Sequence, residues 1–381
     1  MDYIEAGNPG SNPKDIEFFR RVKNIKLNHA TLTAFGSTRR PNIKAEEDMN
    51  LKALLSAGTK AVAVFGKSWD FHVTDILRTT LEENLQMIYD TIFYLKKHGK
   101  EVIFDAEHFF DGYKANPDYA LKTLEAAADA GADWLVLCDT NGGSFPTEIA
   151  DITKRVCKQF QVSVGIHCHN DGGMAVANSI MAVESGAVQV QGTFNGYGER
   201  CGNANLCTII PNLQLKQGKE CIPKDRMREL TQISRYISEL ANLPHDERQP
   251  YVGNSAFAHK GGMHIDAVHK NSSSFEHIPP EEVGNERRVL MSEVSGRSTI
   301  LSKIQKVAPW VDKESKETKM IIDKLKQLEY EGYQFEGAES SFELMIRRAL
   351  GKTLNFFEVK DFRVLCEEHW QNDYNATAML K

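Results

Sequence analysis

Short apolar runs alternate with longer amphipathic runs through the first half of the chain. The short runs include VAVF, VIF and WLVL, which are continuously apolar, as expected for strands buried on both faces. The longer runs have the period of a helix, and several are followed by a glycine, where helices commonly end. This alternation predicts a parallel sheet with strands at 2–6, 26–33, 60–66, 101–106, 133–138, 163–167 and 187–194. The helices between them are predicted at 14–23, 45–56, 75–98, 117–130, 146–159 and 174–184.

Polar residues cluster at the carboxyl ends of the predicted strands, among them His29, Lys67, Glu107 and His167. These ends carry the active site in a (β/α)8 barrel, and they also carry the ligand site in an open doubly wound sheet. No GxGxxG follows the first strand, so a dinucleotide-binding fold is not supported. A closed barrel requires eight strands and the pattern predicts seven. The pattern therefore predicts an α/β chain with a TIM barrel over 1–220, in which either one strand is not recognised or the first strand is absent.

The pattern changes after the barrel. Residues 223–242 have the periodicity of a long amphipathic helix, and residues 313–350 are charged and helical. From about residue 354 the sequence becomes strand-like again. We expect an α-rich region over 221–350 and the start of an α+β region over 351–381.

Two histidines separated by one residue, His167 and His169, stand at the end of a predicted strand. Alternate residues of a strand point to the same face, about 6.7 Å apart along the backbone, so both imidazoles can reach one metal ion. For an HxH pattern alone, a pair of polar residues without a metal is an equally open alternative. Asn170 and Asp171 follow the pair, and the next predicted strand ends in a glycine-rich polar loop, which favours the metal site.

Composition and charge exclude several classes of function. Hydrophobic residues make up 41% of the chain and charged residues 26%, which is typical of a globular protein. The net charge of −6 and the lack of a basic run argue against nucleic-acid binding, and no long apolar stretch predicts a membrane helix. The seven cysteines have no zinc or redox spacing, which favours free thiols in a reducing cytoplasm. Cys168 and Cys201, beside the histidine pair and the glycine-rich loop, are expected to be small buried packing residues.

Three motifs resemble one enzyme family. They are HCHND at 167–171, NGYGERCGNAN at 195–205 and AFAHKGGMHIDA at 256–267. Together they are similar to the metal-dependent Claisen-condensing synthases, which include 2-isopropylmalate, homocitrate and citramalate synthases. The runs DYIEAGNPGSNPKD, AFGSTRRPN, LVLCDTNGG and VGNERRVLMSEVSGRS resemble the citramalate synthase branch most, and the resemblance covers essentially the whole chain.

The resemblance implies a TIM barrel with accessory subdomains and a C-terminal regulatory domain, working as a homodimer in which an accessory segment reaches the neighbouring active site. It implies a divalent metal, Mg²⁺, Mn²⁺ or Zn²⁺, held by His167, His169 and Asn203. The family's fourth ligand is an aspartate after the first strand. The strand count and the resemblance agree in placing that strand outside this chain, so we expect about thirty residues of barrel to be missing.

The implied reaction joins acetyl-CoA to a keto acid, which is pyruvate for the citramalate branch, and serves isoleucine biosynthesis. By resemblance, Glu107 contacts substrate or assists proton transfer, and a solvated loop carboxylate is its alternative role. Thr140 is expected to bind the keto-acid carboxylate, although its neighbours in CDTNG suit a structural turn equally well. His264 is implied to perform base chemistry. Where many members have a tyrosine that could support it, this chain has Phe275.

Two alternatives stay open at this point. Within the family, the chain can instead be a 2-isopropylmalate or homocitrate synthase, which use a different keto acid as substrate. Outside catalysis, the chain can be an inert fragment of the family, because it lacks one anionic metal ligand.

Overall fold

Seven parallel strands form one sheet in which every strand pairs with the next strand along the chain. The computed structural model describes residues 1–260, 262–290, 297–312, 315–335, 338–352, 356–369 and 373–381. This sequential order confirms the predicted TIM-barrel sheet with seven strands. The strands are β1 (Tyr3–Glu5), β2 (Thr31–Ser37), β3 (Ala61–Lys67), β4 (Glu101–Glu107), β5 (Trp134–Asp139), β6 (Ser163–Cys168) and β7 (Gln189–Gln191).

The described chain divides into two compact units. The first comprises Met1–Ala256 and Pro280–Asn285, and the second comprises Phe257–Pro279 and Glu286–Lys381. The division into 1–220, 221–350 and 351–381 stays a prediction. The helices of the first unit are α1 (Pro13–Val22), α2 (Met49–Ser56), α3 (Leu81–Lys97), α4 (Phe109–Ala115), α5 (Pro117–Asp129), α6 (Pro146–Gln159), α7 (Ala175–Glu184), α8 (Leu206–Pro211) and α9 (Leu230–Leu240).

Local sequence explains where these helices begin and end. The side chains of Asn12, Thr80 and Asn116 cap α1, α3 and α5 by accepting a hydrogen bond from the backbone three residues later. After the helices, the predicted terminating glycines have φ between +73° and +117°, a region that favours glycine; they are Gly58, Gly99, Gly131 and Gly186.

The second strand differs from its predicted position at 26–33. It forms at Thr31–Ser37, because only one apolar residue, Leu27, lies in 26–29, and it is 36% exposed. His29 therefore precedes the strand, and its exposed ring pairs with Asp2 Oδ1 at 2.9 Å instead of facing the site. The expectation for His29 was wrong.

Two predicted helix boundaries also change. The single helix expected at 75–98 is interrupted at Arg78, whose φ of +55° ends a short π-helical turn, His72–Leu77, before α3 begins. α4 was not predicted, because its FFDGYKA sequence contains a glycine in a short helix. The predicted helix at 223–242 is a 3-10 turn, Lys224–Glu229, followed by α9.

The two faces of the sheet pack differently. Side chains alternate along a strand, so in β4 Val102, Phe104 and Ala106 join the large core between sheet and helices. Ile103 points to the opposite, inner face, where it packs with Ala63, Val136 and Cys138. By the same alternation Asp105 and Glu107 lie on the inner face, toward the carboxyl end of the strand.

The second unit has a small sheet and a helical core. β8 (Ala258–His259) pairs with β9 (Arg288–Val289), and α10 (Gly262–Lys270) follows β8. Residues 291–296 of the VGNERRVLMSEVSGRS run lie outside the described residues, as do 313–314, 336–337 and 354 of the predicted helical and strand-like stretches. Three helices pack through a core that includes Ile304, Ile321 and Ile346, and an antiparallel hairpin follows; these elements are α11 (Arg297–Val307), α12 (Lys316–Tyr330), α13 (Glu339–Ala349), β10 (Phe362–His369) and β11 (Asp373–Leu380).

Within the described ranges, no helix has both the length and the apolar character that crossing a membrane requires.

The core between the sheet and the helices predicts a large effect of truncating Phe104. Phe104 is fully buried, so Phe104→Ala should lower the free energy of unfolding by about 3–5 kcal/mol through lost burial and a residual cavity. Phe93 on α3 is 53% exposed, so Phe93→Ala should change the free energy of unfolding by only about 0.5 kcal/mol. Urea titration followed by circular dichroism measures both. Equal losses would contradict the assignment of Phe104 to the core.

The inner face predicts a pH dependence of stability from Asp105. This residue is 4% exposed, and burial raises the pKa of its carboxyl from 3.8 to about 7, although a hydrogen bond from Gln191 opposes the shift. The stability that Asp105 contributes is therefore fully present below pH 3.8 and is lost as the pH rises through about 7. Relative to the wild type, Asp105→Asn should gain stability over this window, by at most on the order of 4 kcal/mol.

Thermal unfolding at a series of pH values checks this prediction. The exposed Asp129, at the end of α5, provides the matched control, since Asp129→Asn also removes one carboxylate. A constant difference in Tm between Asp105→Asn and the wild type from pH 4 to pH 8 would contradict it.

Candidate metal-binding active site

The inner face of the sheet collects polar side chains at the carboxyl ends of neighbouring strands. Lys67 ends β3, Glu107 ends β4, His167 lies on β6 and Gln191 ends β7. Register pairs Lys67 with Glu107 and His167 with Gln191, so each pair lies side by side on adjacent strands. The sheet thus brings the predicted residues Glu107 and His167 to the same edge.

The three predicted metal ligands lie together. The rings of His167 and His169 are 5.2 Å apart between centroids, and the backbone of His169 forms an antiparallel bridge with Asn203. Two buried atoms of this group, His169 Nδ1 and Asn203 Oδ1, have no hydrogen-bond partner among the described residues. Imidazole nitrogen and amide oxygen are both metal ligands, so the donor set fits a divalent cation.

His169 is electrostatically suited to bind a cation. Burial, and then the positive charges of His167 and Arg200, lower the pKa of His169 to about 4. Its imidazole is therefore neutral near pH 7 and retains a lone pair. Within the described part of the chain, no cluster of three or more His, Cys, Asp or Glu side chains could hold a metal ion. The third donor of this site is an amide, Asn203, which such a cluster would not include.

Two glycines allow the loop after β7 to place Asn203. A Cβ on Gly198 would lie 2.1 Å from Asn203 Nδ2, and one on Gly202 would lie 2.0 Å from the Gly196 carbonyl oxygen. Gly202 also has a φ of +89°. The Asn203 N–H donates to the Gly196 carbonyl at 3.0 Å, and the Asn170 N–H donates to the Gly202 carbonyl at 2.9 Å. The NGYGERCGNAN motif is thus a tight loop tied to the end of β6.

Arg200 braces this loop through hydrogen bonds to two neighbouring loops. Its guanidinium donates to Asp171 Oδ1 and Oδ2 at 2.7 and 2.9 Å, and to the Thr140 carbonyl at 2.6 Å. These bonds join the loops that follow β5, β6 and β7. Cys168 is buried, as expected, but the expectation for Cys201 was wrong, because it lies on the exposed tip of the loop beside Arg200.

Thr140 and its neighbours divide into two roles. The Thr140 hydroxyl oxygen accepts a hydrogen bond from the His108 N–H at 2.8 Å. Asp139 is fully buried and accepts hydrogen bonds from the backbone and hydroxyl of Ser144 at 3.3 and 3.0 Å. Asn141 donates to Asp111 at 2.9 Å. Asp139 therefore stabilises the loop that follows β5, and Asn141 connects this loop to α4.

Glu107 forms an ion pair with Lys67 through Oε2, and its side chain is 23% exposed. It is therefore a partly buried, paired carboxylate, which does not fit the solvated loop alternative. Its partner Lys67 was noticed in the sequence only as a polar residue after a strand. The signal that could have identified the pair is their equivalent position at the ends of adjacent parallel strands.

Sequence reasoning missed three further residues of the inner face. Gln191 Oε1 lies 2.8 Å from His167 Nδ1, and Gln191 Nε2 donates to Asp105 Oδ1 at 2.9 Å. Glu5, at the exposed end of β1, is also part of this group, because desolvation and then the charge of Asp105 raise the pKa of Glu5, while His167 lowers it. All three could have been found from the period of two, since each shares a strand face with the inner cluster.

His264 lies in the second unit, whereas the other predicted site residues lie in the first. It is exposed on α10, and its ring stacks on Phe275 with 4.1 Å between centroids. Another histidine of this unit, His259, contacts Glu276 at 3.0 Å, and Glu276 is also paired with Arg287.

Comparison with known proteins places this site in a family. Residues 1–237 match the HMGL-like family, and residues 251–332 match the homocitrate synthase post-HMGL domain-like family. In solved structures the fold is similar to HMG-CoA lyase from Bacillus subtilis, with a TM-score of 0.54 and 19% identity over 64% of this chain and 83% of that one. HMG-CoA lyase from Pseudomonas aeruginosa gives a TM-score of 0.53 and 18% identity over 64% and 82%. At these identities the likeness concerns the fold alone.

Sequence relatives are more similar. The (R)-citramalate synthase of Aquifex aeolicus is 56% identical over 96% of this chain and 69% of its own length. That of Geobacter sulfurreducens is 54% identical over 100% and 73%. A probable 2-isopropylmalate synthase of Methanopyrus kandleri is 34% identical over 86% and 62%. The chain therefore belongs to the HMGL-like family and, within it, to the (R)-citramalate synthase group of acyltransferases.

Proposed function

We propose that this protein condenses acetyl-CoA with pyruvate to give (R)-citramalate and CoA. The observation that carries the proposal is the convergence of His167, His169 and Asn203 at one edge of the sheet, two of them with buried unpaired donor atoms. This edge also carries the Glu107–Lys67 ion pair. The identity of 54–56% to two (R)-citramalate synthases supports pyruvate as the keto acid.

A divalent cation, Mg²⁺, Mn²⁺ or Zn²⁺, fits this donor set, which mixes nitrogen and oxygen and does not choose among the three. His167, His169 and Asn203 would hold it. When bound, the cation supplies Lewis acidity that polarises the keto-acid carbonyl.

The residues of the chain orient the substrate and move the proton. The Thr140 oxygen already accepts a hydrogen bond from His108, so its own hydrogen can be donated to a keto-acid carboxylate oxygen. Glu107 is proposed to contact substrate or assist proton transfer, and its ion pair with Lys67 supports this by orienting the carboxylate. His264 is proposed for base chemistry from the family resemblance, and Phe275, stacked on its ring, has no hydroxyl to support that base.

The biological setting is also proposed from the family resemblance. We infer a homodimer, a place in the isoleucine branch of amino-acid biosynthesis, and a cytoplasmic location. All seven cysteines are free thiols, which supports a reducing compartment.

Substrate preference tests the proposal directly. The chain, loaded with Mn²⁺ and acetyl-CoA, should turn over pyruvate with a kcat/KM at least about 10-fold above those for 2-ketoisovalerate and 2-ketoglutarate, since extra carbons must fit the same pocket. Chromatographic quantification of CoA and of the product acid gives the three values. A preference for 2-ketoisovalerate would instead assign 2-isopropylmalate synthase activity. No turnover of any of the three would support an inert chain.

The metal site predicts the effect of replacing one ligand. His169→Gln removes an imidazole donor and should raise the Kd for Mn²⁺ by more than about 10-fold, measured by electron paramagnetic resonance of free Mn²⁺. His29→Gln is the matched control, because His29 is exposed and pairs only with Asp2 in the described structure. Equal affinities of His169→Gln and the wild type would exclude His169 as a ligand. Undetectable binding by the wild type at millimolar Mn²⁺ would exclude the metal site in this chain.

A further inference from the structure

We propose that Asp105, acting through Gln191, fixes His167 in the tautomer that carries its hydrogen on Nδ1 and leaves the Nε2 lone pair for the metal. Asp105 and Gln191 are thus positioning residues of the site. The inference rests on the proposed function only for the identity of the ligand, a divalent cation. The tautomer itself is a property of the protein without metal.

The first step is set by the chemistry of a buried carboxylate. Asp105 lies on the inner face of β4 and is 4% exposed, and its Oδ1 is 2.9 Å from Gln191 Nε2. Above its raised pKa of about 7, and so at the pH 8 of the test below, the Asp105 carboxyl is ionised and only accepts hydrogen bonds. The glutamine amide must therefore turn its NH2 group toward Asp105.

The second step follows from the shape of the amide. With the nitrogen of Gln191 directed to Asp105, its oxygen Oε1 faces His167 Nδ1 at 2.8 Å. An amide oxygen carries no hydrogen, so the bond requires a hydrogen on His167 Nδ1. The remaining nitrogen, Nε2, then has a lone pair, which a metal ligand needs.

The sheet places Asp105, Gln191 and His167 within hydrogen-bond reach of one another, in the order of the proposed chain of contacts from Asp105 through Gln191 to His167. We call this chain the relay. Register pairs His167 with Gln191 on β6 and β7, and their side chains share the inner face with Asp105 of β4. Gln189 lies two residues before Gln191 on the same face, yet its Oε1 is buried without a hydrogen-bond partner in the described structure. The contrast shows that a position on this strand face does not by itself give a glutamine oxygen a hydrogen-bond partner. Gln191 has two partners of opposite hydrogen-bonding character.

The relay opposes the intrinsic preference of the ring. Neutral imidazole in water favours the tautomer with hydrogen on Nε2, in which Nε2 cannot bind a metal. The Asp105–Gln191 pair makes the other tautomer dominant before a cation arrives. Partners of this kind typically affect metal affinity by about 10- to 100-fold.

Reversing the polarity of the relay provides a test. In Asp105→Asn, the new amide can donate to the oxygen of Gln191, which turns the NH2 group of Gln191 toward His167. In the double variant Asp105→Asn with Gln191→Glu, the amide at 105 donates to the carboxylate at 191, whose other oxygen accepts from His167 Nδ1. The double variant keeps the size and the single negative charge of the wild-type pair.

The tautomer is read directly from ring ¹⁵N–¹H correlation spectra of histidine-labelled, metal-free protein at pH 8. The His167 signals are identified by their absence in His167→Gln. We expect the Nδ1–H pattern in the wild type, the Nε2–H pattern in Asp105→Asn, and recovery of Nδ1–H in the double variant. The Kd for Mn²⁺ should rise about 10- to 100-fold in Asp105→Asn and recover in the double variant.

Two single variants make the test independent of the folding of Asp105→Asn. Gln191→Met removes both hydrogen bonds at similar volume and should shift His167 toward Nε2–H. Gln189→Met, on the same strand face, should leave the tautomer and the Kd for Mn²⁺ unchanged.

The outcomes separate this inference from the proposed function. An Nδ1–H signal for His167 that persists in folded Asp105→Asn or in Gln191→Met would overturn the relay, whatever the metal affinity. A double variant that stays in the Nε2–H form would also overturn it. The expected tautomers together with undetectable Mn²⁺ binding by the wild type would support the relay and overturn the proposed metal site instead.

Discussion

The alternation of side chains along β4 is the constraint on which the rest of this structure depends. In FDAE, Phe104 and Ala106 enter the core against the helices, so Asp105 and Glu107 must point to the inner face. Shifting the strand by one residue would exchange the two sets, placing carboxylates in the apolar core. The burial of Phe104 therefore fixes the direction of Asp105 and of the candidate catalytic carboxylate Glu107, and core stability and site geometry depend on the same register.

The burial of the Asp105 carboxylate on the inner face must be compensated by hydrogen bonding, and this hydrogen bonding extends to the proposed metal ligand His167. Asp105 has almost no contact with solvent, and burial raises the pKa of its carboxyl to about 7. Gln191 provides a hydrogen bond to Asp105, which offsets part of this desolvation. Because an amide has a donor end and an acceptor end, that hydrogen bond also determines which atom His167 meets. An apolar residue at 105 would remove the desolvation penalty and the orientation together.

The sequence predicted the features that depend on local pattern. Continuous apolar strands and glycines after helices predicted the sheet, and the HxH spacing predicted the two histidines as neighbours. Asn203 was added to them by the family resemblance. The second strand was misplaced because KLNH at 26–29 is polar and its flanks, not its own residues, suggested a strand. Asp105 and Gln191 are 86 residues apart, and only the register of the sheet joins them. His264 lies in the second unit, so only the family resemblance, and no local pattern in the sequence, suggested a role for it.

The two histidines of the site are held by different means, and this difference explains why the motif needs more than its spacing. His167 is oriented through its side chain, by Gln191 on the adjacent strand. His169 lies just past the end of β6, where the backbone bridge to Asn203 holds it and its ring nitrogen Nδ1 has no partner in the described structure. Gly198 and Gly202 make that bridge possible, since a side chain at either position would collide with the loop. An HxH pair without the glycines would leave His169 without its backbone bridge. One without a glutamine that is itself bonded to a carboxylate would leave the ring of His167 without a fixed orientation.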